Sequence, residues 1–200
     1  MKRAILALAA AALCIPAVCG AEGIPPGGKS LQLSKVILDT DIPEVKGKLK
    51  VGTICLLGGG PIKLNKSKHT ENYERYDNLF SPPLKAHGFA VVSTSGDLFA
   101  EEGAGPKGDY LIGATLKPDT INMCNSVNGQ KGDITMAVEW KIYDRAAQKV
   151  VETVTTTGHG VQEKFARDGL NLMWNKAFVD SLDALIAKGV LQKYVGQPGH

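Results

Sequence analysis

Between Ile134 and Tyr143 the chain alternates without a break. Ile134, Met136, Val138, Trp140 and Ile142 fall on one side, and Thr135, Ala137, Glu139, Lys141 and Tyr143 on the other. Period two over ten residues predicts a half-buried antiparallel strand, with one face in a core and one facing water. Asp109 to Met123 opens the same way, with Tyr110, Ile112, Ala114 and Leu116 on one face. Asp144 to Gln148 reads as a turn, and the β-branched run Lys149 to Thr157 as a return strand. The Gly-His-Gly after it, Gly158 to Gly160, reads as the strand's end.

Elsewhere the period changes. Tyr73, Tyr76, Leu79 and Phe80 recur at three- and four-residue spacing, which predicts a helix within Thr70 to His87. Ser81-Pro82-Pro83 is expected to restart or kink it, with Ser81 as cap and Pro82 at the first helical position. Gly88 is expected to end it, before a short strand at Phe89 to Ser93. A second amphipathic helix is predicted from about Gly169 to Lys188. Its stripe is Leu170, Trp174, Ala177, Phe178, Leu182, Leu185 and Ile186, with Asp168 as cap. A short segment, Val190 to Val195, follows. Upstream, Val36-Ile37-Leu38 is a short apolar run, and Leu49 to Leu57 is a stronger strand candidate that Gly58-Gly59-Gly60-Pro61 terminates. This order implies an α+β fold: a mixed or mainly antiparallel sheet with two helices packed on one face. Trp140 and Trp174 are then core residues.

The first 21 residues have a separate pattern. Lys2 and Arg3 precede the uncharged apolar run Ala4 to Leu13, Pro16 breaks it, and Cys19-Gly20-Ala21 supplies small side chains. That is the layout of a secretory signal peptide cleaved near Ala21. The ten-residue run is half of what a membrane span needs. Leu13 before Cys14 and Val18 before Cys19 are too bulky for a lipoprotein signal, so soluble export to the periplasm or beyond is expected. The organisation read from the chain is a signal peptide at 1–21, an extended leader at 22–48, one domain at 49–195 and a tail at 196–200.

Export alters two further readings. The formal charge of +3 falls to +1 once Lys2 and Arg3 leave, which gives no electrostatic case for nucleic acid or an anionic surface. Cys14 and Cys19 leave too. Cys55 and Cys124 then have one intramolecular pairing open to them in an oxidising compartment, the alternative being two buried reduced thiols. Two thiolates and four scattered histidines (His69, His87, His159, His200) lack metal-ligand spacing, so no metal or cofactor is expected.

Gly23 to Ser30 (GIPPGGKS) matches the phosphate-loop pattern, yet a strand should precede it and a helix follow. Pro25 and Pro26 also lack two of the amides that would cradle phosphate. It reads as linker. Gly58-Gly59-Gly60 lacks dinucleotide-binding spacing. Ser93, Ser95, Asp97 and His159 supply the residue types of a hydrolytic set, but such a set is recognised by geometry. Glu101, Glu102 and Asp109 read as loop charges, and Lys66 to His69 as a small basic patch. No catalytic residue is assigned.

Two stretches carry a resemblance. GDYLIGATLKPDTINMC, ending in Asn122-Met123-Cys124, is followed by GDITMAVEWKIYDRAAQKVVETVTTTGHG, which contains Val138-Glu139-Trp140 with Tyr143 and Lys149-Val150-Val151. With Val51-Gly52, Cys55 and Leu84 to Val91, these resemble the non-catalytic domain found beside trypsin-like peptidase domains in some bacterial exported proteins, over most of residues 49–186. The resemblance puts Cys55 and Cys124 at that domain's two cysteine positions and so implies a disulfide. Proteolysis does not carry over, because no Gly-Asp-Ser-Gly occurs before His200. The expectation is an exported, non-catalytic envelope protein that binds another protein or supports an assembly. Its partner would be a trypsin-like peptidase or a secretion component. The alternative is a small-ligand or hydrolytic domain using the 93–109 loop and His159.

Overall fold

β1 (Leu31–Asp39), which lies within the stretch expected to be leader, is an interior strand of the sheet. The computed structural model describes residues 28–40, 67–93 and 107–195. After β1 come β2 (Lys68–Thr70), α1 (Tyr73–Ala86), β3 (Tyr110–Ser126), β4 (Gly129–Asp144), β5 (Lys149–Ala166), α2 (Gly169–Ala187) and α3 (Gln192–Val195). They form a five-stranded sheet in the order β2-β1-β3-β4-β5. Of the four strand pairings among the described residues, β1–β3 is parallel and the others antiparallel. The expected mixed, mainly antiparallel α+β sheet is the fold observed, with α1 and α2 on one face.

β1 corrects the leader reading of 22–48. Leu31, Leu33 and Val36 are completely or almost completely buried, because a parallel partner on one side and β2 on the other leave no solvated face towards the helices. The irregular spacing of these three comes from a bulge between Leu33 and Lys35, and that is what hid the strand from a period-two reading.

The long hairpin follows the sequence closely. Tyr110, Ile112, Ala114 and Leu116 of β3 and Ile134, Met136, Val138, Trp140 and Ile142 of β4 are all buried on the helix side. β5, in contrast, does not stop at Thr157. It continues to Ala166, and Gly158 and Gly160 lie in mid-strand opposite Met136 and Ile134. They are glycines because α2 lies directly on them. A Cβ at Gly158 would stand 1.9 Å from the Ala177 carbonyl oxygen, and one at Gly160 equally close to that of Met173. Beside them, Thr156 Oγ1 accepts from Trp140 Nε1 (2.7 Å) and meets the Ser181 carbonyl (2.9 Å) and hydroxyl (2.6 Å), all out of water.

α1 runs through the two prolines. Ser81 is not a cap but a buried interior residue whose Oγ donates to Asp77 at 3.2 Å, and Asn72 is the N-cap, accepting from the Arg75 amide at 2.9 Å. Pro82 and Pro83 remove two helix donors. The helix is nevertheless fixed at both ends. Arg75 clamps α2 through Asn175 (2.6 and 2.9 Å) and Asn171 (3.2 Å), while Phe80 and Leu84 are fully buried. Gly88, at φ +78°, terminates the turn as expected. The strand expected at Phe89 to Ser93 is a single bridge, Val91 to Leu31. On α2 the stripe is rotated slightly: Met173 is buried and Trp174 only partly, while Phe178 meets Trp140 at 5.5 Å and Tyr76 at 4.9 Å. Asp168 is the N-cap by position but makes no side-chain cap bond. Burial pushes the Tyr76 hydroxyl up to about 12.

Candidate functional site

With both helices on one side, the other face of the sheet carries its polar residues unopposed by any helix among the described residues. At its centre, Glu139 lies between Lys117 (2.8 Å) and Lys141 (3.2 Å). The hydrogen bond from Lys117, then that from Lys141, holds its carboxyl below the ordinary range. Gly113 is opposite Lys141 in register, and no atom lies within 4 Å of where its Cβ would be. Towards the hairpin tip, Asp133 accepts from Asn122 Nδ2 at 3.0 Å and faces His159 Nε2 at 3.8 Å. An open groove of about 420 Å³ follows, walled by Asn122, Cys124, Lys131, Asp133, Gln162 and Glu163.

β5 forms the edge of the sheet, and the edge is dressed from α2 and α3. Asp180 accepts from the His159 amide at 2.8 Å. Lys176 donates to the Val161 carbonyl at 2.6 Å, Lys188 to that of Thr155 at 3.0 Å, and the Tyr194 hydroxyl to that of Val151 at 3.3 Å. Nothing in the local sequence of β5 signals these partners; they are legible only once α2 is known to lie along that strand.

Cys124 is disulfide-bonded. Ile121 and Met123 point into the core, so Cys124 shares the open face with Asn122. Cys55 lies outside the described residues, as do Cys14, Cys19, Ser95, Asp97, Glu101, Glu102, Gly58 to Gly60 and His200. The proposed hydrolytic set does not assemble from what is described. The Ser93 hydroxyl donates to Asp77 on the helix side of the sheet, whereas His159, alternating with Gly158 and Gly160, is on the opposite face. The sheet therefore separates the 93–109 loop's first residue from His159.

Asp109 is no idle loop charge. Its carboxylate accepts from the Ser30 amide (2.7 Å) and hydroxyl (2.9 Å), and the amide bond above all holds its pKa down. Lys29 donates to the Tyr110 hydroxyl at 2.9 Å, and this bond raises the lysine's own pKa. The Lys-Ser pair of the phosphate-loop match is thus used to lead β1 into the sheet. A strand follows it where phosphate binding needs a helix. His69 pairs with Glu71 at 3.0 Å on the short edge strand β2. Among the described residues no three potential ligands gather for a metal, and no helix is long and apolar enough to cross a membrane.

No protein-family model and no curated protein matches this chain. Among solved structures it is similar to a Xanthomonas campestris protein of family DUF330, at 13% identity over 85% of this chain and 90% of that one, with TM-score 0.44. It is also similar to a minor lipoprotein of Acinetobacter baumannii (12% identity, 82% and 94% covered, TM-score 0.34). A third is lipoprotein GNA1162 of Neisseria meningitidis (10% identity, 82% and 97% covered, TM-score 0.34).

Proposed function

We propose that this is an exported, non-catalytic envelope protein that binds another protein through the helix-free side of its sheet. The observation that carries the reading is the one-sided architecture. Among the described residues both helices pack on one face of the sheet, while the other presents polar side chains such as Lys117, Glu139, Lys141, Asn122 and Asp133, ending in an edge and a groove. The signal-peptide pattern of residues 1–21 supports export. The resemblance to a domain that accompanies trypsin-like peptidases supports a peptidase or an assembly component as partner. Ser93 does not serve the rival hydrolytic reading as a nucleophile for His159, because the two are on opposite sides of the sheet.

The disulfide proposed for this protein is Cys55–Cys124. β1 runs parallel to β3 with Leu38 beside Leu116, so Thr40 leaves the sheet in the direction of Cys124. Eight further positions along β3 are about 26 Å. Thr40 and Ser67 are hydrogen-bonded to each other at 2.9 Å, and Cys55 is twelve residues from the nearer of them, a reach of up to about 40 Å. The covalent chain therefore spans the gap. Non-reducing peptide mapping of the exported protein should yield a Cys55–Cys124 peptide; a bridge to any other cysteine refutes the pairing.

The functional reading is tested by affinity capture from the envelope fraction. It predicts a stoichiometric protein partner whose recovery is unchanged by His159→Ala. A hydrolytic activity lost in that variant, with no partner recovered, overturns it.

A further inference from the structure

Antiparallel pairing gives β5 a strict alternation: residues whose N–H and C=O meet β4 alternate with residues whose N–H and C=O face outwards. The Asp180 bond to the His159 amide and the lysine bonds to the Thr155 and Val161 carbonyls fix which set is outward: Thr153, Thr155, Thr157, His159 and Val161. An exposed row of this kind is a template for another strand unless the protein covers it. Here it is covered in part. Lys176 and Asp180 close the end at His159 and Val161, and Tyr194 closes the end at Val151, the bulged residue. Between them, nothing among the described residues bonds the outward amides of Thr153, Thr155 and Thr157 or the carbonyls of Thr153 and Thr157. All three side chains are exposed. The stretch is five residues long, enough for a short added strand, and only its central Thr155 carbonyl is already engaged, by Lys188.

The charges beside this stretch select its occupant. Lys188 reaches from α2 to the Thr155 carbonyl at the centre of the window, and that neutral oxygen is the partner its ammonium has. On the open face, Lys141 is opposite Thr153 in register but is already paired with Glu139 at 3.2 Å, which leaves Lys188 as the selecting charge. A strand carrying carboxylates on its helix-facing side would pair with Lys188. A second copy of this chain would not suit the window. Antiparallel pairing about a two-fold axis at Thr155 would bring Lys188 of each copy to the axis, like charge against like charge.

We infer that Thr153–Thr157 of β5 accepts one extended, acidic segment of a partner protein by strand addition, with Lys188 reading its carboxylates. Backbone pairing would supply the attachment and the lysine the selectivity. This deepens the protein-binding reading and rests on it, but the two fail separately. A captured partner that protects the open face and leaves the β5 amides unchanged sinks the window alone.

The test is residue-resolved amide hydrogen exchange on the full chain. The probes are a heptapeptide alternating glutamate with threonine and its lysine–threonine counterpart. In the protein alone, the amides of Thr153, Thr155 and Thr157 should exchange far faster than those of Val154 and Thr156, while the His159 amide is slowed by Asp180. The glutamate peptide at about millimolar concentration should slow the three threonine amides about tenfold or more, and the lysine peptide should not. Lys188→Glu should reverse the preference. Thr155→Pro removes only an outward donor on an edge strand, where proline is tolerated, and should abolish binding while leaving the fold intact. Equal protection by both peptides, or no protection by the glutamate peptide, overturns the inference. So do outward amides already as slow as their inward neighbours.

Discussion

Gly158 is the position where the packing can be tested most sharply by a single methyl group. In Gly158→Ala the new Cβ would be 1.9 Å from the Ala177 carbonyl oxygen and 2.8 Å from both the amide nitrogen and the Cβ of Ser181. These are mainly helix backbone atoms, so no side-chain rotation relieves the contact. Reaching ordinary van der Waals distance means moving α2 by about 1.5 Å from the sheet. That helix carries Ala177, Phe178, Leu182 and Leu185, all fully buried, and the same movement stretches the Thr156–Ser181 bonds. Overpacking alone costs about 1–3 kcal/mol, and weakening the buried bonds adds about 1 kcal/mol. A loss of about 2–4 kcal/mol should lower the melting temperature by roughly 5–15 °C for a chain of this size. Gly113→Ala is the matched control. It is also a strand glycine, but its Cβ would meet nothing within 4 Å, and the change should be neutral or stabilise by up to about 1 kcal/mol. Urea unfolding followed by tryptophan fluorescence measures both. Equal midpoints for the two variants would refute the claim that α2 packs backbone-to-backbone on β5.

Thr156→Val keeps the shape of the side chain but strips the Trp140 indole and the Ser181 hydroxyl of their shared partner. It should destabilise by about 1–3 kcal/mol in the same urea assay, and Thr156→Ser should restore most of the loss. Asp109→Asn tests the anchor of β1. The folded carboxyl is held below its unfolded value near 3.9, so its contribution is present above that pH and lost as pH falls through the lower folded value. Wild type should melt a few degrees higher than the variant at pH 7, with the gap closing as pH falls below the unfolded value; a constant gap would refute the linkage.

What the sequence made legible was governed by local period. The alternation from Ile134 to Ile142 and the stripe through Ala177, Phe178 and Leu182 arise from residues buried in regular elements, and both appear as expected. β1 was obscured because its bulge breaks the period between Leu33 and Lys35. Gly158 and Gly160 misled for another reason. Glycine is a breaker when read along the chain, but here it answers to a helix that begins nine residues after Gly160 and packs back on the strand. The dressing of the β5 edge by Lys176, Asp180, Lys188 and Tyr194 is long-range in the same sense. Ser93 and His159 could be grouped from the sequence because separation along the chain does not reveal on which side of a sheet a residue falls.

The central claim is that the helix-free side of the sheet meets another protein. Site-specific photo-crosslinking in the envelope of intact cells addresses it directly, with a photoreactive side chain at Thr115 on the open face or at Asn175 on the helix side. A discrete crosslinked partner is expected from Thr115 and none from Asn175. The same adduct from both positions, or from Asn175 alone, would contradict it.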